Sequence, residues 1–136
     1  MAQVIMIAGP MTGLPDFNKD AFDKIVQKYR ETAPFVDEVI TPWEINKDHS
    51  QWNECLCNTV TKIIELHRAH KGNFKIVFLN GFMESRGCKI ELTIALGLGI
   101  RCETQGGGLV KLGTVKVEKM PIITDPIQHQ WEDEHF

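Results

Sequence analysis

F-K-I-V-F-L-N-G-F-M-E-S-R-G-C-K-I-E-L-T-I-A-L-G-L, residues 74–98, changes character twice within a short span. Residues 74–79 are an almost unbroken apolar run, as expected of a strand buried on both faces in a parallel sheet. Residues 80–87 contain Gly81 and Gly87 and read as a loop. From Arg86 to about Leu98 the apolar residues fall at helical spacing, with Ile90, Ile94 and Leu98 expected on the buried side. Strand, turn and helix in that order make one β-α unit.

The same alternation extends in both directions. Residues 4–8 (V-I-M-I-A) are a second continuous apolar run, ended by Gly9-Pro10. After a loop, Asp16 is positioned to cap a helix running to about Arg30, with Phe17, Phe22, Ile25, Val26 and Tyr29 as its stripe. Residues 35–40 look like a strand closed by Thr41-Pro42, and residues 43–51 are polar and irregular. Trp52 to about His70 reads as a helix carrying Leu56, Val60, Ile63, Ile64 and His67, stopped by Lys71-Gly72-Asn73. Residues 99–103 suggest a short fourth strand. Three strand–helix alternations with short connections predict a single domain over residues 1–136. Its expected fold is an open, mostly parallel α/β sheet flanked by helices, Rossmann- or flavodoxin-like. Beyond it the pattern changes: Gly106-Gly107-Gly108, residues 109–112, Gly113 and residues 114–117 suggest an irregular segment or a β-hairpin. The acidic tail, residues 128–136, contains Trp131 and Phe136, which suit docking on the same chain or a neighbour.

Bulk properties narrow the function classes. Hydrophobic residues are 43% and charged residues 24%, close to globular averages, which argues against general disorder. A net charge of -3 gives no basic footprint for nucleic acid, while a local pocket can still take a small anion. No apolar run is long enough to span a bilayer, and Met1-Ala2-Gln3 lacks a signal-peptide start, so a cytoplasmic protein is expected. Cys55, Cys57, Cys88 and Cys102 match neither a disulfide framework nor a zinc knuckle and read as reduced thiols. His67 and His70 lack a third ligand at suitable spacing and read as solvated helix-end residues. His49, Trp43 and Trp52 are each open between a base contact and packing.

In open α/β sheets, ligands sit at the carboxyl ends of the strands. Two loops leave such ends: A-G-P-M-T-G (residues 8–13) and G-F-M-E-S-R-G (residues 81–87). In the second, Ser85, Arg86, Gly87 and the N–H groups of the following helix suit a phosphate; Ser85 suits a plain N-cap equally well. Glu91 flanks the expected buried stripe, so its carboxylate either points toward the strand ends or faces solvent.

A-G-P-M-T-G together with S-R-G-C-K-I-E-L-T-I-A-L-G-L resembles the nucleoside 2-deoxyribosyltransferase-like superfamily, nearest its small phage and bacterial branch. The resemblance covers roughly residues 4–102; residues 105–136 lie outside it. It implies cleavage of an N-glycosidic bond in a nucleoside or its 5'-monophosphate, by hydrolysis or base transfer. Glu91 matches the nucleophilic glutamate and Ser85 and Gly87 the residues at the phosphate, which Arg86 between them is also expected to bind. Gly9, Pro10, Met11, Thr12 and Gly13 match the first ligand-binding loop. No metal or organic cofactor is implied, and homo-oligomers are. Two positions depart from the pattern: Met6 stands where a tyrosine is usual, and Thr59 (or Asn58) where an aspartate is usual. Glu84 and Asp16 offer themselves as a general acid by proximity only. A non-catalytic nucleotide-binding protein on the same scaffold, or an interaction module, is therefore the alternative.

Overall fold

Chains with continuous apolar strands must cover both faces of the sheet, and this one does. The computed structural model describes residues 3–46 and 51–111. The elements are β1 (Val4–Ala8), α1 (Lys19–Thr32), β2 (Glu38–Ile40), α2 (Pro42–Ile45), α3 (Trp52–Ala69), β3 (Phe74–Phe78), α4 (Arg86–Gly97), β4 (Arg101–Thr104) and β5 (Leu109–Val110). They build a five-stranded sheet in the order β2-β1-β3-β4-β5, in which β1 pairs in parallel with both β2 and β3, β3 with β4, and only β5 runs antiparallel. The expected α/β class and the C-terminal hairpin are both present.

Strand side chains alternate between faces. Val4, Met6, Ala8, Ile76 and Phe78 pack with Ile63, Leu66, Leu92 and Ala95 under α3 and α4. Ile5, Ile7, Val77 and Leu79 pack with Phe22 and Ile25 of α1 on the other face. Truncating a core residue such as Ile63 or Leu92 to alanine is expected to cost about 2–5 kcal/mol.

Several boundaries differ from the sequence expectation. The first helix does not start at Asp16. Residues Pro15–Asn18 form a tight turn in which Asp16, Phe17 and Asn18 are all left-handed (φ 48, 50 and 64), and Phe17 is exposed. Asn18 ties that turn back, its Nδ2 donating to the Pro10 carbonyl at 3.0 Å. β2 keeps only the last three residues of the expected 35–40 strand. α2 falls in the span read as irregular; Thr41-Pro42 is a start signal, with proline in the first turn. Residues 105–108 carry the chain from β4 into β5, so the three glycines serve the hairpin turn.

The largest correction concerns which faces of α3 and α4 are buried. On α4 the core side is Cys88, Leu92 and Ala95, while Ile90 and Ile94 are half-buried and Leu98 is exposed. On α3 it is Thr59, Ile63 and Leu66, while Leu56, Val60, Ile64 and His67 are half-buried. Glu91, three residues after Cys88 and four before Ala95, therefore sits on the core-facing side of α4. His49, residues 114–117, Trp131 and Phe136 lie outside the described residues.

Candidate functional site

The sheet order reverses between β1 and β3, because the chain leaves β1 for β2 on one side while β3 lies on the other. A crevice opens at the carboxyl ends of such a strand pair. Gly9 follows β1 there. It is buried, and a β-carbon on it would lie 2.7 Å from Leu79 Cδ1 and 2.9 Å from Leu79 Cβ. The glycine is thus demanded by the packing of β1 on the exit of β3, and not only by close approach to a ligand. After β3, Leu79 N–H donates to the Ala8 carbonyl at 2.8 Å. Gly81 turns the chain with φ 87, which favours glycine. Asn80 N–H is held by Gln105 Oε1 at 3.0 Å, so β4's end braces the loop.

Ser85 caps α4, its Oγ accepting from the Cys88 N–H at 3.3 Å. Between the two loops lies a cleft of about 70 Å³ lined by Gly9, Met11, Thr12, Pro42, Asn46, Trp52, Cys55, Leu56, Thr59, Ser85, Gly87, Cys88 and Glu91. That is well below the few hundred Å³ of pockets that enclose a whole ligand. A larger concavity of about 460 Å³ runs along β2 and the other flank of α3, lined by Glu38, Glu44, Lys62 and Glu65 among others. It lies away from both loops and at the sheet edge, so the smaller cleft is the better candidate.

Glu91 is the cleft's distinguishing group. No hydrogen bond or ion pair to it forms among the described residues, and burial alone pushes its carboxyl up from 4.5 to about 8. An unpaired carboxyl on a helix face that a leucine would fill is a cost to folding, which marks it as a functional candidate. Beside it, Cys88 is pushed up to about 12, first by burial, then by Glu91, against a lowering from Ser85. Burial also raises Cys55. Both are held as thiols.

The opposite wall is built differently. Asn46 is buried, its Nδ2 donating to the Pro42 carbonyl and to Thr59 Oγ1, both at 3.3 Å. Asn58 Nδ2 donates to Asn46 Oδ1 at 3.2 Å. This wall is neutral and its polar groups are satisfied within it. Trp52 closes one end; a β-carbon on Gly87 would touch its ring at 3.5 Å.

Of the residues singled out by sequence, Gly9, Met11, Thr12, Thr59, Ser85, Gly87 and Glu91 meet in the cleft. Pro10, Gly13 and Arg86 do not line it: Pro10 anchors the Asn18 turn, while Gly13 and Arg86 are exposed. Of the two acids near the loops, Glu84 and Asp16, neither lines it, and both are exposed. Met6 lies fully buried on the α3–α4 face. Asn46 and Pro42 were missed; the proline start of α2 was the available signal.

An open, mostly parallel sheet with a small cleft at its reversal point has the arrangement in which open α/β sheets commonly bind their ligands. Residues 3–104 match the family described as Domain of unknown function (DUF4406), and the chain belongs to that family. No curated protein and no solved structure matches it. Among the described residues no helix is long and apolar enough to cross a membrane.

Proposed function

We propose that this protein cleaves the N-glycosidic bond of a nucleoside or its 5'-monophosphate, with Glu91 as nucleophile. The observation that carries this is the half-buried Glu91 carboxyl, unpaired among the described residues, in a small cleft six residues along α4 from the Ser85 cap. The likeness of the two loops to nucleoside 2-deoxyribosyltransferase-like proteins supports it. Ser85 and the first-turn N–H groups of α4 hold the phosphate, with Arg86 at its outer edge. Gly9, Met11 and Thr12 shape the sugar site. The Glu91 carboxylate attacks the anomeric carbon through an oxocarbenium-like transition state, and the covalent sugar intermediate passes to water or to a second base. No metal or organic cofactor enters this scheme. A cytoplasm, a host's if the protein is phage-borne, is the compartment that goes with this reading.

A homo-oligomer also fits. Leu56, Val60 and Ile64 on α3, with Ile90, Ile94 and Leu98 on α4, form apolar stripes outside the core. A second copy is the occupant proposed for them.

The second reading, nucleotide binding without turnover, is favoured by the neutral Asn46–Thr59–Asn58 wall, which supplies no acid to the leaving base. Incubation with a panel of nucleosides and 5'-monophosphates, followed by chromatography of free base, separates the two. Release that vanishes in Glu91→Gln is expected; tight binding without release supports the second reading, and no binding of either class rejects both.

A further inference from the structure

Among the described residues, Asp16, Phe17 and Asn18 are the only non-glycine residues with positive φ, and they are consecutive. An L residue with a side chain enters that region singly, at a cost of about five- to thirty-fold in population. Three in a row is a conformation that the local sequence opposes. Three contacts hold it. Asn18 Nδ2 donates to the Pro10 carbonyl at 3.0 Å, the Phe17 N–H donates to the Leu14 carbonyl at 3.0 Å, and the Phe17 ring tilts against Trp43 with centroids 6.4 Å apart.

The same residues suit a second state. As observed, α1 starts at Lys19 with no side-chain cap. With Asp16 as N-cap, its carboxylate accepts from the Asn18 or Lys19 N–H, and Phe17 and Asn18 become the first right-handed residues of α1. Phe17, exposed in the turn, then lies four residues before Ala21, one turn away on a helix face that packs against the sheet.

The turn is joined to the cleft. Pro10, which accepts the Asn18 bond, lies between Gly9 and Met11, and Gly9, Met11 and Thr12 line the cleft. α1 packs on one face of the sheet, whereas α3 and α4, which supply Thr59, Cys88 and Glu91 to the cleft, pack on the other. Winding Phe17 and Asn18 into α1 breaks the bond to Pro10. It also shortens the path from Gly9 to the helix, on the α1 side of the sheet. Both changes draw Met11 and Thr12 away from α3 and α4.

We propose that residues 15–18 are a two-state gate on the cleft. Left-handed, they hold Met11 and Thr12 against it; wound into α1, they open it to a ligand. The proposal rests on the cleft being the ligand site and on no particular chemistry there. In the left-handed state the cleft is about 70 Å³, too small to enclose a nucleotide. A ligand that fits only the wound state shifts the balance toward it.

The cysteines make the gate measurable in the full chain without any ligand. Cys88 lines the cleft and is buried, Cys57 is exposed on α3 and does not line it, and Cys102 is buried in β4. Labelling by N-ethylmaleimide, read at each site by peptide mass spectrometry, therefore separates opening of the cleft from surface reactivity and from global unfolding. Asn18→Ala removes the Pro10 bond and disfavours positive φ, and is expected to speed labelling of Cys88 by about tenfold. Asp16→Gly relieves the turn and removes the cap of the wound state, and is expected to slow it by about tenfold. Rates at Cys57 and Cys102 are expected to hold in both variants. A Cys88 rate that stays constant, or moves in the opposite order, overturns the gate. If Asn18→Ala also speeds Cys102, that variant is unfolding, and unslowed Cys88 labelling in Asp16→Gly then overturns the gate by itself. No nucleotide enters the measurement, so its failure leaves Glu91-dependent base release intact, and failure of base release leaves the gate intact.

Discussion

The two walls of the cleft solve opposite problems. On the α3 side, Asn46 and Thr59, backed by Asn58, are hydrogen-bonded, and among the described residues no buried side-chain polar atom of that wall is left unpartnered. On the α4 side, Glu91 is half-buried without a partner among the described residues, and Cys88 is held far from ionisation. One wall is a finished piece of structure; the other holds free energy in reserve. The difference teaches where selection for folding ends and selection for chemistry begins, since an unpaired carboxyl on a core-facing helix position weakens the fold.

The sharpest way to break this contrast is Glu91→Gln. Base release is expected to fall by about 10³-fold or more, equivalent to about 4 kcal/mol in the barrier, read by chromatography under saturating substrate. Retention of activity would move the chemistry elsewhere in the molecule.

Damage to the satisfied wall should appear as stability rather than rate. Thr59→Val removes an acceptor of the buried Asn46 amide and is expected to cost about 1–3 kcal/mol, a drop of several degrees in Tm. A denaturant titration checks it.

The same Glu91→Gln variant should gain stability where it loses activity, and only at higher pH. The folded carboxyl titrates near 8 against an ordinary 4.5, so the folded state keeps a proton that the unfolded chain gives up. The stability of the native protein is therefore full below about pH 4.5 and is lost as pH rises through 8. Glutamine removes that slope. The variant is expected to match the native protein near pH 4.5 and to exceed it by up to about 5 kcal/mol at pH 9, given about 1.4 kcal/mol per pKa unit. Parallel melting curves across that range decide it; a constant gap would mean that Glu91 is solvated.

The smallest effects lie at the rim. Ser85→Ala should cost about 1 kcal/mol from the lost cap, with a larger rise in KM for a 5'-monophosphate than for the matching nucleoside. Asp16→Gly should stabilise by about 1 kcal/mol, because a left-handed residue with a side chain pays about that much. Urea titration measures the second; no gain would mean that the turn is held by interactions of Asp16 itself.

Much of the fold was legible because strands buried on both faces leave continuous apolar runs. Residues 4–8 and 74–79 carried that signal, and the loops after them led directly to Gly9, Ser85, Gly87 and Glu91. The helix faces were misread for a physical reason. The core stripe of α4 is small or polar at Cys88, Glu91 and Ala95, whereas the stripe off the core holds Ile90, Ile94 and Leu98. Hydrophobic periodicity follows the stronger stripe, and in this molecule the stronger stripe lies beside the core rather than in it. α2 was hidden because four residues carry no period. The left-handed turn at Asp16, Phe17 and Asn18 was illegible because no glycine marks it.

The missing side chain at Gly9 has a consequence for how this architecture can change over time. With Leu79 filling the space where a β-carbon would stand, the spacing of the two loops is set by the sheet and not by the loops. Residues 10–13 are then free to drift, acquiring taste for new ligands, while the distance from that rim to Glu91 stays constant. Selectivity and reactivity become separately heritable parts, and a lineage can explore one without forfeiting the other.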